Sequence, residues 1–560
     1  MTLRLPDRAS WFLLWCLLGA GAVQLYLAGP LQPVPSGFSA IFWYLLKSLD
    51  PASNVLLLVL AVVAFALRDR PGWQPVLRFA GSRPLAVATA VFVLLSLGAL
   101  LAYRGRPLSM DEYSAVFQAK AFAAGRLSGE LPVELLDRLV PRGFQGLFIT
   151  VSRATGEAAS TYWPTFSLLL APFERFGASW ALNPVLGSLS LLAIHRLAKR
   201  VSGSQEAGAW AMLFTLASPA FVVNAMSYYA MTAHLLANAV FALLLVDATP
   251  RRALAAGFVG ALALTLHNPL PHLLFAVPFI VWLAARGGSL RLLACLAVGY
   301  LSVGLSVGLG WKMFLKALAS ADSGAAQAIV PSQGAAAGIV KLAADQLAIF
   351  APPTLQVLQA RIYGLTKLWT WAAAGLVVLA LWGYWLTRHR TEVRVLALAL
   401  VATFVGYLFI RFDQGHGWGF RYLHSAWFVL PLLAALALTA MPRDKLPGSN
   451  AGLHGMAGWC LVLSLVLANA LRIFQVDTFV RAHLGQVPPL ASGEAARVPS
   501  VVFVDASRGF YAYDLVQNHP LLRESPVVML GRDSDGLMAR HFPGYVRVAS
   551  GQWGEHWVKK

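Results

Sequence analysis

Ser109-Met110-Asp111-Glu112-Tyr113 sets two carboxylates side by side just after an apolar run ending near Tyr103, with a mostly apolar stretch, 115–127, behind it. Charge beside hydrocarbon is costly unless it faces water, a partner or a reacting group, so the pair is a candidate for function. Ser109 and Glu112 also match the S-x-x-E pattern of a capping box, in which each side chain satisfies the other's backbone N–H. Asp111 then falls in the first helical turn, where the helix dipole favours a carboxylate. Cap and chemistry are both open readings of the pentapeptide, and they are compatible.

The surrounding chain is 560 residues long, 58% hydrophobic and only 12% charged. That composition excludes an ordinary soluble protein and predicts an α-helical multi-pass membrane protein. The net charge of +19 does not indicate nucleic acid, because the basic residues scatter between apolar runs instead of forming a stripe. Runs near bilayer-spanning length fall near 11–29, 52–67, 85–103, 181–198, 207–223, 229–247, 253–267, 270–285, 292–310, 368–386, 395–410, 422–440 and 453–471, about 13 transmembrane helices.

Alternate links carry the basic clusters: Arg4 and Arg8; Arg68, Arg70, Arg78 and Arg83; Arg196, Lys199 and Arg200; Arg251 and Arg252; Arg286 and Arg291; Arg388, Arg390 and Arg394; Arg443 and Lys445. The positive-inside rule makes these cytoplasmic and puts 104–180, 224–228, 267–272, 311–367, 411–421 and the tail from 472 outside, the acidic pair with them. Arg4 and Arg8 ahead of 11–28, with Ala20-Gly21-Ala22, imitate a signal peptide; a retained first span preserves the alternation. Cys16, Cys295 and Cys460 lie in apolar runs without metal or disulfide spacing and are expected as buried thiols.

Three divisions follow: an N-terminal extra transmembrane pair (1–84), a transmembrane domain with the long outer loop 104–180 (85–471), and a small C-terminal α/β domain (472–560). In the outer loop the helix stops at Gly125-Arg126-Leu127, 147–152 reads as a strand, Thr155-Gly156 as a turn and 166–176 as an interfacial helix. Pro30, Pro33 and Pro35 precede a short interfacial helix over 38–49. The Ala-, Gly-, Ser- and Gln-rich stretch 319–338 suits a mobile loop able to close over substrate. In the tail, 501–505, 527–530 and 545–549 read as strands and 510–516 as a short helix.

Further candidates cluster in the outer links. His234, His267 and His272 sit at span ends, where histidine more often packs than reacts; His267 and His272 are five apart across Pro269 and Pro271, which predicts no transition-metal site. The link Asp413-Gln414-Gly415-His416-Gly417-Trp418-Gly419-Phe420-Arg421-Tyr422 has three glycines, which let a backbone approach a ligand closely. Arg421 offers a planar fork suited to phosphate, or else simply snorkels. Lys312 and Arg361 are further outer cations that could meet phosphate or serve as anchors.

Met110-Asp111-Glu112-Tyr113 followed by Ala119 and Gly125-Arg126-Leu127, then Tyr162-Trp163-Pro164-Thr165-Phe166-Ser167-Leu168-Leu169-Leu170-Ala171-Pro172-Phe173, Ser218-Pro219 and Gly419-Phe420-Arg421-Tyr422, carry a likeness by pattern over about 85–440. With these motifs the chain resembles the GT-C superfamily of integral-membrane glycosyltransferases, especially the branch of protein O-mannosyltransferases and the lipid A aminoarabinose transferase. The resemblance implies transfer of a sugar from a polyprenyl-phosphate donor to a lipid, glycan or protein acceptor, at the outer face of a bacterial cytoplasmic membrane. It implies Asp111 as base or acceptor-positioning group with Glu112 as partner, and Arg421, Tyr422, His267 and His272 near the donor phosphate. Tyr162, Trp163, His234, Lys312 and Arg361 are further substrate-binding candidates. No cofactor is expected, although Asp111 and Glu112 could hold a divalent ion through oxygen. Two departures stand out: two spans precede the usual first one, and His267-Asn268-Pro269 replaces an arginine before proline. A flippase of a lipid-linked precursor and an oligosaccharide ligase or polymerase are the competing expectations.

Overall fold

The computed structural model describes residues 8–29, 39–286, 289–320, 350–440, 451–534 and 536–560. Arg4, Pro30, Pro33, Pro35, Arg443, Lys445 and most of the loop expected to close over substrate lie outside them. The protein is a multi-pass helical membrane bundle with two small sheets at one end. Among the described residues, seven helices are long and apolar enough to cross a membrane: Arg8–Ala28, Ala40–Leu67, Pro84–Leu101, Ser179–Ser202, Leu290–Ser320, Thr391–Leu408 and Ala451–Gly485. Met231–Val246, Leu270–Ala284, Leu376–Thr387 and Val429–Ala440 are shorter apolar helices.

Three of the expected spans are not continuous; one of them, 422–440, parts into Arg421–His424 and Val429–Ala440. The run 207–223 breaks into Gln205–Leu216 and Pro219–Asn224, because Pro219 has no N–H to continue the ladder. Ser218 Oγ covers the break, donating to Phe214 O at 2.8 Å and accepting from Ala373 N at 2.9 Å. The run 368–386 starts only at Leu376, after Gly375 at φ +83°, and a separate helix, Leu355–Thr370, precedes it where the sequence suggested loop. That helix carries Arg361 and Lys367, which interrupt its hydropathy but are paired internally. Cys460 is buried, whereas Cys16 and Cys295 are only half-buried.

The N-terminal pair is tied into the bundle by charge. Asp50, with none of its side chain exposed, accepts from Lys367 Nζ at 3.1 Å, Arg472 Nη2 at 2.8 Å and Trp371 Nε1 at 2.8 Å. Elsewhere helices touch backbone to backbone: a Cβ on Gly257 would lie 2.1 Å from Leu296 O, and one on Gly299 2.3 Å from Leu254 O. Small residues permit this approach, which apolar packing in lipid favours.

The two ends of the bundle differ. At one end Arg390 donates to Val201 O, Trp459 to Arg70 O and Gln205 to Gly81 O, bringing several of the basic links together. At the other lie the outer loop and the tail. The loop contains β1 (Gly129–Glu130), β2 (Ile149–Val151) and β3 (Glu157–Ser160) in the order β1-β3-β2. The tail contains β4 (Ser500–Val504), β5 (Val527–Leu530), β6 (Tyr545–Gly551) and β7 (Gly554–Lys559), ordered β5-β4-β7-β6 with β4 and β5 parallel. The boundary expected at 471/472 falls inside the helix Ala451–Gly485, so the sheet domain starts beyond it. Met110, Tyr113, Phe117, Leu135 and Ile149 share one apolar cluster with Val501, Phe503 and Met529. Loop and tail therefore form one packed body.

Candidate active site

Ser109 caps the helix Met110–Ala123, and both halves of the capping box form with Glu112. Glu112 is wholly buried. Its Oε2 accepts from Leu108 N at 2.8 Å and Ser109 N at 3.3 Å; its Oε1 accepts from Tyr228 N at 2.9 Å and Tyr103 Oη at 3.0 Å. Four donors occupy both oxygens, so Glu112 pins the helix start to the end of one span and to the turn at Tyr228. No oxygen of Glu112 is left to share a divalent ion with Asp111, and the pair does not fit that expectation. Burial pushes its carboxyl up to about 7, against the pull of the four donors.

The next residue back points elsewhere. Asp111 Oδ2 accepts from Arg421 Nη1 at 3.0 Å, and Oδ1 accepts from the Tyr162 hydroxyl; the two charged side chains are 20% and 13% exposed. Burial works to raise the Asp111 pKa, but the Arg421 guanidinium, His267 and the Tyr162 hydrogen bond outweigh it and hold the carboxyl below its ordinary value. Asp111 is thus an ionised, partly open carboxylate.

Arg421 is aimed by the glycine link. Its Nη1 also donates to Gln414 O at 3.1 Å and to His416 O, its backbone N–H donates to Gln414 Oε1 at 3.0 Å, and the guanidinium lies 4.5 Å over the Tyr229 ring. Gly417, at φ +133°, makes this possible: a Cβ there would stand 2.1 Å from Arg421 Cδ. Among the described residues, the Nε and Nη2 sides of the fork carry no hydrogen bond.

Of the other candidates, Tyr162 and His267 join the site: their rings lie 3.8 Å apart, and burial lowers the imidazole to about 4, so His267 is neutral at pH 7. Lys312 stands close behind, 5.1 Å over the Trp163 ring, and donates to Thr161 O at 3.4 Å. Arg361 and Tyr422 pack against the link that carries Arg421. Arg361 is buried and donates to Tyr407 O, Ile410 O and Phe412 O, while Tyr422 stacks on Tyr407 at 4.4 Å and donates to Asp413 O at 2.8 Å. Both brace the link. His272 is likewise consumed, between Asn238 Oδ1 and Tyr300 Oη at 2.7 Å each, and His234 is buried in the bundle. No group of three His, Cys, Asp or Glu able to hold a metal occurs among the described residues.

Sequence reasoning missed a second tier. Tyr229 Oη lies 2.9 Å from Ser109 Oγ and 2.6 Å from His416 Nδ1, and Tyr103 Oη accepts from Trp418 Nε1 at 2.8 Å. Asp514, from the tail, lines with Asp111, Met110, His416, Phe144 and Tyr513 a cavity of about 820 Å³. Burial, and then the neighbouring Asp111 charge, push the Asp514 carboxyl up to about 8. His416 and the glycines were visible as a motif; nothing local marked Asp514.

No family model and no curated protein matches the chain. Among solved structures, ArnT from Cupriavidus metallidurans bound to undecaprenyl phosphate superposes with a TM-score of 0.52 at 14% identity, covering 84% of this chain and 97% of that one. The same protein in the apo state gives 0.49 at 14% identity, over 85% and 98%. The chain is a multi-pass membrane protein that shares the fold of ArnT and holds a half-buried aspartate–arginine pair.

Proposed function

We propose that the protein is a glycosyltransferase that moves a sugar from a polyprenyl-phosphate donor to an acceptor. The observation that carries this reading is the Asp111–Arg421 pair beside the cavity. An ionised carboxylate can take the proton from an acceptor hydroxyl or amine. As that oxygen or nitrogen bonds to the sugar's anomeric carbon, the carbon–oxygen bond to phosphate breaks, and polyprenyl phosphate leaves as an anion. Arg421, with two sides of its fork unengaged, is suited to stabilise that charge. A single displacement of this kind inverts the anomeric centre and needs no second carboxylate as nucleophile.

The fold likeness to a protein crystallised with undecaprenyl phosphate supports a polyprenyl carrier. The gathering of the basic links at the opposite end of the bundle supports a site facing the periplasm of a bacterial cytoplasmic membrane. A flippase would instead place its charges at midplane on broken helices. With radiolabelled polyprenyl-phosphate sugar and purified protein, wild type should transfer label and release free polyprenyl phosphate, and Asp111→Asn should lower the rate roughly 10²- to 10⁴-fold. Undiminished transfer by a folded Asp111→Asn protein would remove the base assignment.

A further inference from the structure

The cavity beside Asp111 has walls from three distant parts of the chain, and their chemistry is uneven. Phe144 from the outer loop and Tyr513 from the tail meet edge to face at 6.3 Å, and Tyr513 keeps 45% of its surface exposed. Asp514 is 8% exposed and accepts from the Met110 backbone N–H, one residue before Asp111. The cation in the wall, Arg142, is committed to Asp137 at 2.7 Å, and Asp137 also takes Arg153 at 2.7 Å. Arg421 is engaged by Asp111 at the rear.

Arg142 is paired with Asp137, and the open sides of Arg421 serve the donor phosphate in the reading above, so among the described residues a phosphate-bearing acceptor meets no cation left over for it. A neutral pyranose suits the same walls: its C–H face packs on aromatic rings, and its hydroxyls can pair with buried carboxyl oxygens that otherwise cost free energy. The volume is within the range of small-molecule sites. Resting on the transferase reading above, we infer that this cavity is the acceptor subsite and takes the terminal sugar of an uncharged glycan or glycoside, with Tyr513 and Phe144 against the ring and Asp514 on its hydroxyls.

The test is ligand-observed saturation-transfer NMR on the full chain in nanodiscs, using methyl glycosides of the common hexoses as probes and hexose 1-phosphates alongside. At least one methyl glycoside should bind, the phosphates more weakly, and Tyr513→Ala and Asp514→Asn should each weaken the glycoside about tenfold or more. Undecaprenyl-phosphate binding by the same variants should match wild type, which reports that they are folded. Equal or tighter binding of the phosphates, wild-type affinity in both variants, or no binding by any glycoside would each overturn the subsite. Loss of the subsite with Asp111→Asn still abolishing transfer would leave the transferase reading intact; sugar transfer surviving in Asp111→Asn would instead strike that reading.

Discussion

Asp111 and Glu112 are neighbours in sequence with opposite circumstances. Glu112 faces inward onto four donors, and Asp111 faces Arg421, Tyr162 and the cavity. Successive helical positions project about 100° apart, so a first-turn pair cannot share one face. Arg421 is the group that keeps Asp111 ionised despite burial. Arg421→Gln should cut kcat/KM roughly 10²- to 10³-fold through the lost phosphate contact. It should also move the acidic limb of the pH–rate profile upward. In wild type the Asp111 pKa lies below its ordinary 3.8, so the limb sits at low pH; without the guanidinium, burial raises that pKa and the limb moves toward neutrality. An unshifted limb in Arg421→Gln would show that another group sets it.

At the scale of elements, the helix Leu355–Thr370 illustrates how burial and charge are reconciled. Its Lys367 shares Asp50 with Arg472, so one carboxylate faces two cations in a site with side-chain exposures of 0–1%. Removing the carboxylate strands both charges, whereas removing the lysine leaves a balanced pair. Asp50→Ala should destabilise the fold by about 3–5 kcal/mol, and Lys367→Met by markedly less. Thermal unfolding of the two variants in the same detergent checks the order. The strand β7 shows the same kind of rescue: Glu555, buried near the strand's start, accepts from Trp557 Nε1 at 3.0 Å and pairs with Arg547 at 3.5 Å. Polar letters there hid the strand from a reading by alternation.

For the whole molecule, the tail is joined to the outer loop by Tyr113 Oη, which donates to Asn518 O at 2.7 Å, and by the shared apolar cluster. That union buries Asp514 and raises it from 3.8 to about 8, while Glu112 rises from 4.5 to about 7. Between these values the native state holds protons on the two carboxyls that the unfolded chain has released, so their contribution to stability falls as pH rises and levels off above about 8. Asp111 acts oppositely, but its contribution is lost only in acid, below this range. Buried His267, lowered to about 4, opposes the two carboxyls until imidazole is neutral in both states, so thermal unfolding in nanodiscs between pH 7 and 8.5 should show a decline in Tm with rising pH, and Asp514→Asn should make it shallower. A slope unchanged by that substitution would assign the dependence to other groups.

Much of this was legible along the chain. Hydropathy located the apolar helices, because lipid demands long uncharged stretches whatever their neighbours. The S-x-x-E spacing determined the cap at Ser109, and the glycines around His416 marked the link that aims Arg421, since both depend on a few adjacent residues. Tertiary structure alone decided that Glu112 is consumed by Tyr103 and Tyr228, that Arg361 and His272 brace other groups, and that Asp514 completes the cavity wall. Those outcomes depend on which donors from remote segments reach a carboxylate or a ring, and a hydrogen bond formed across hundreds of residues leaves no period or spacing in the sequence.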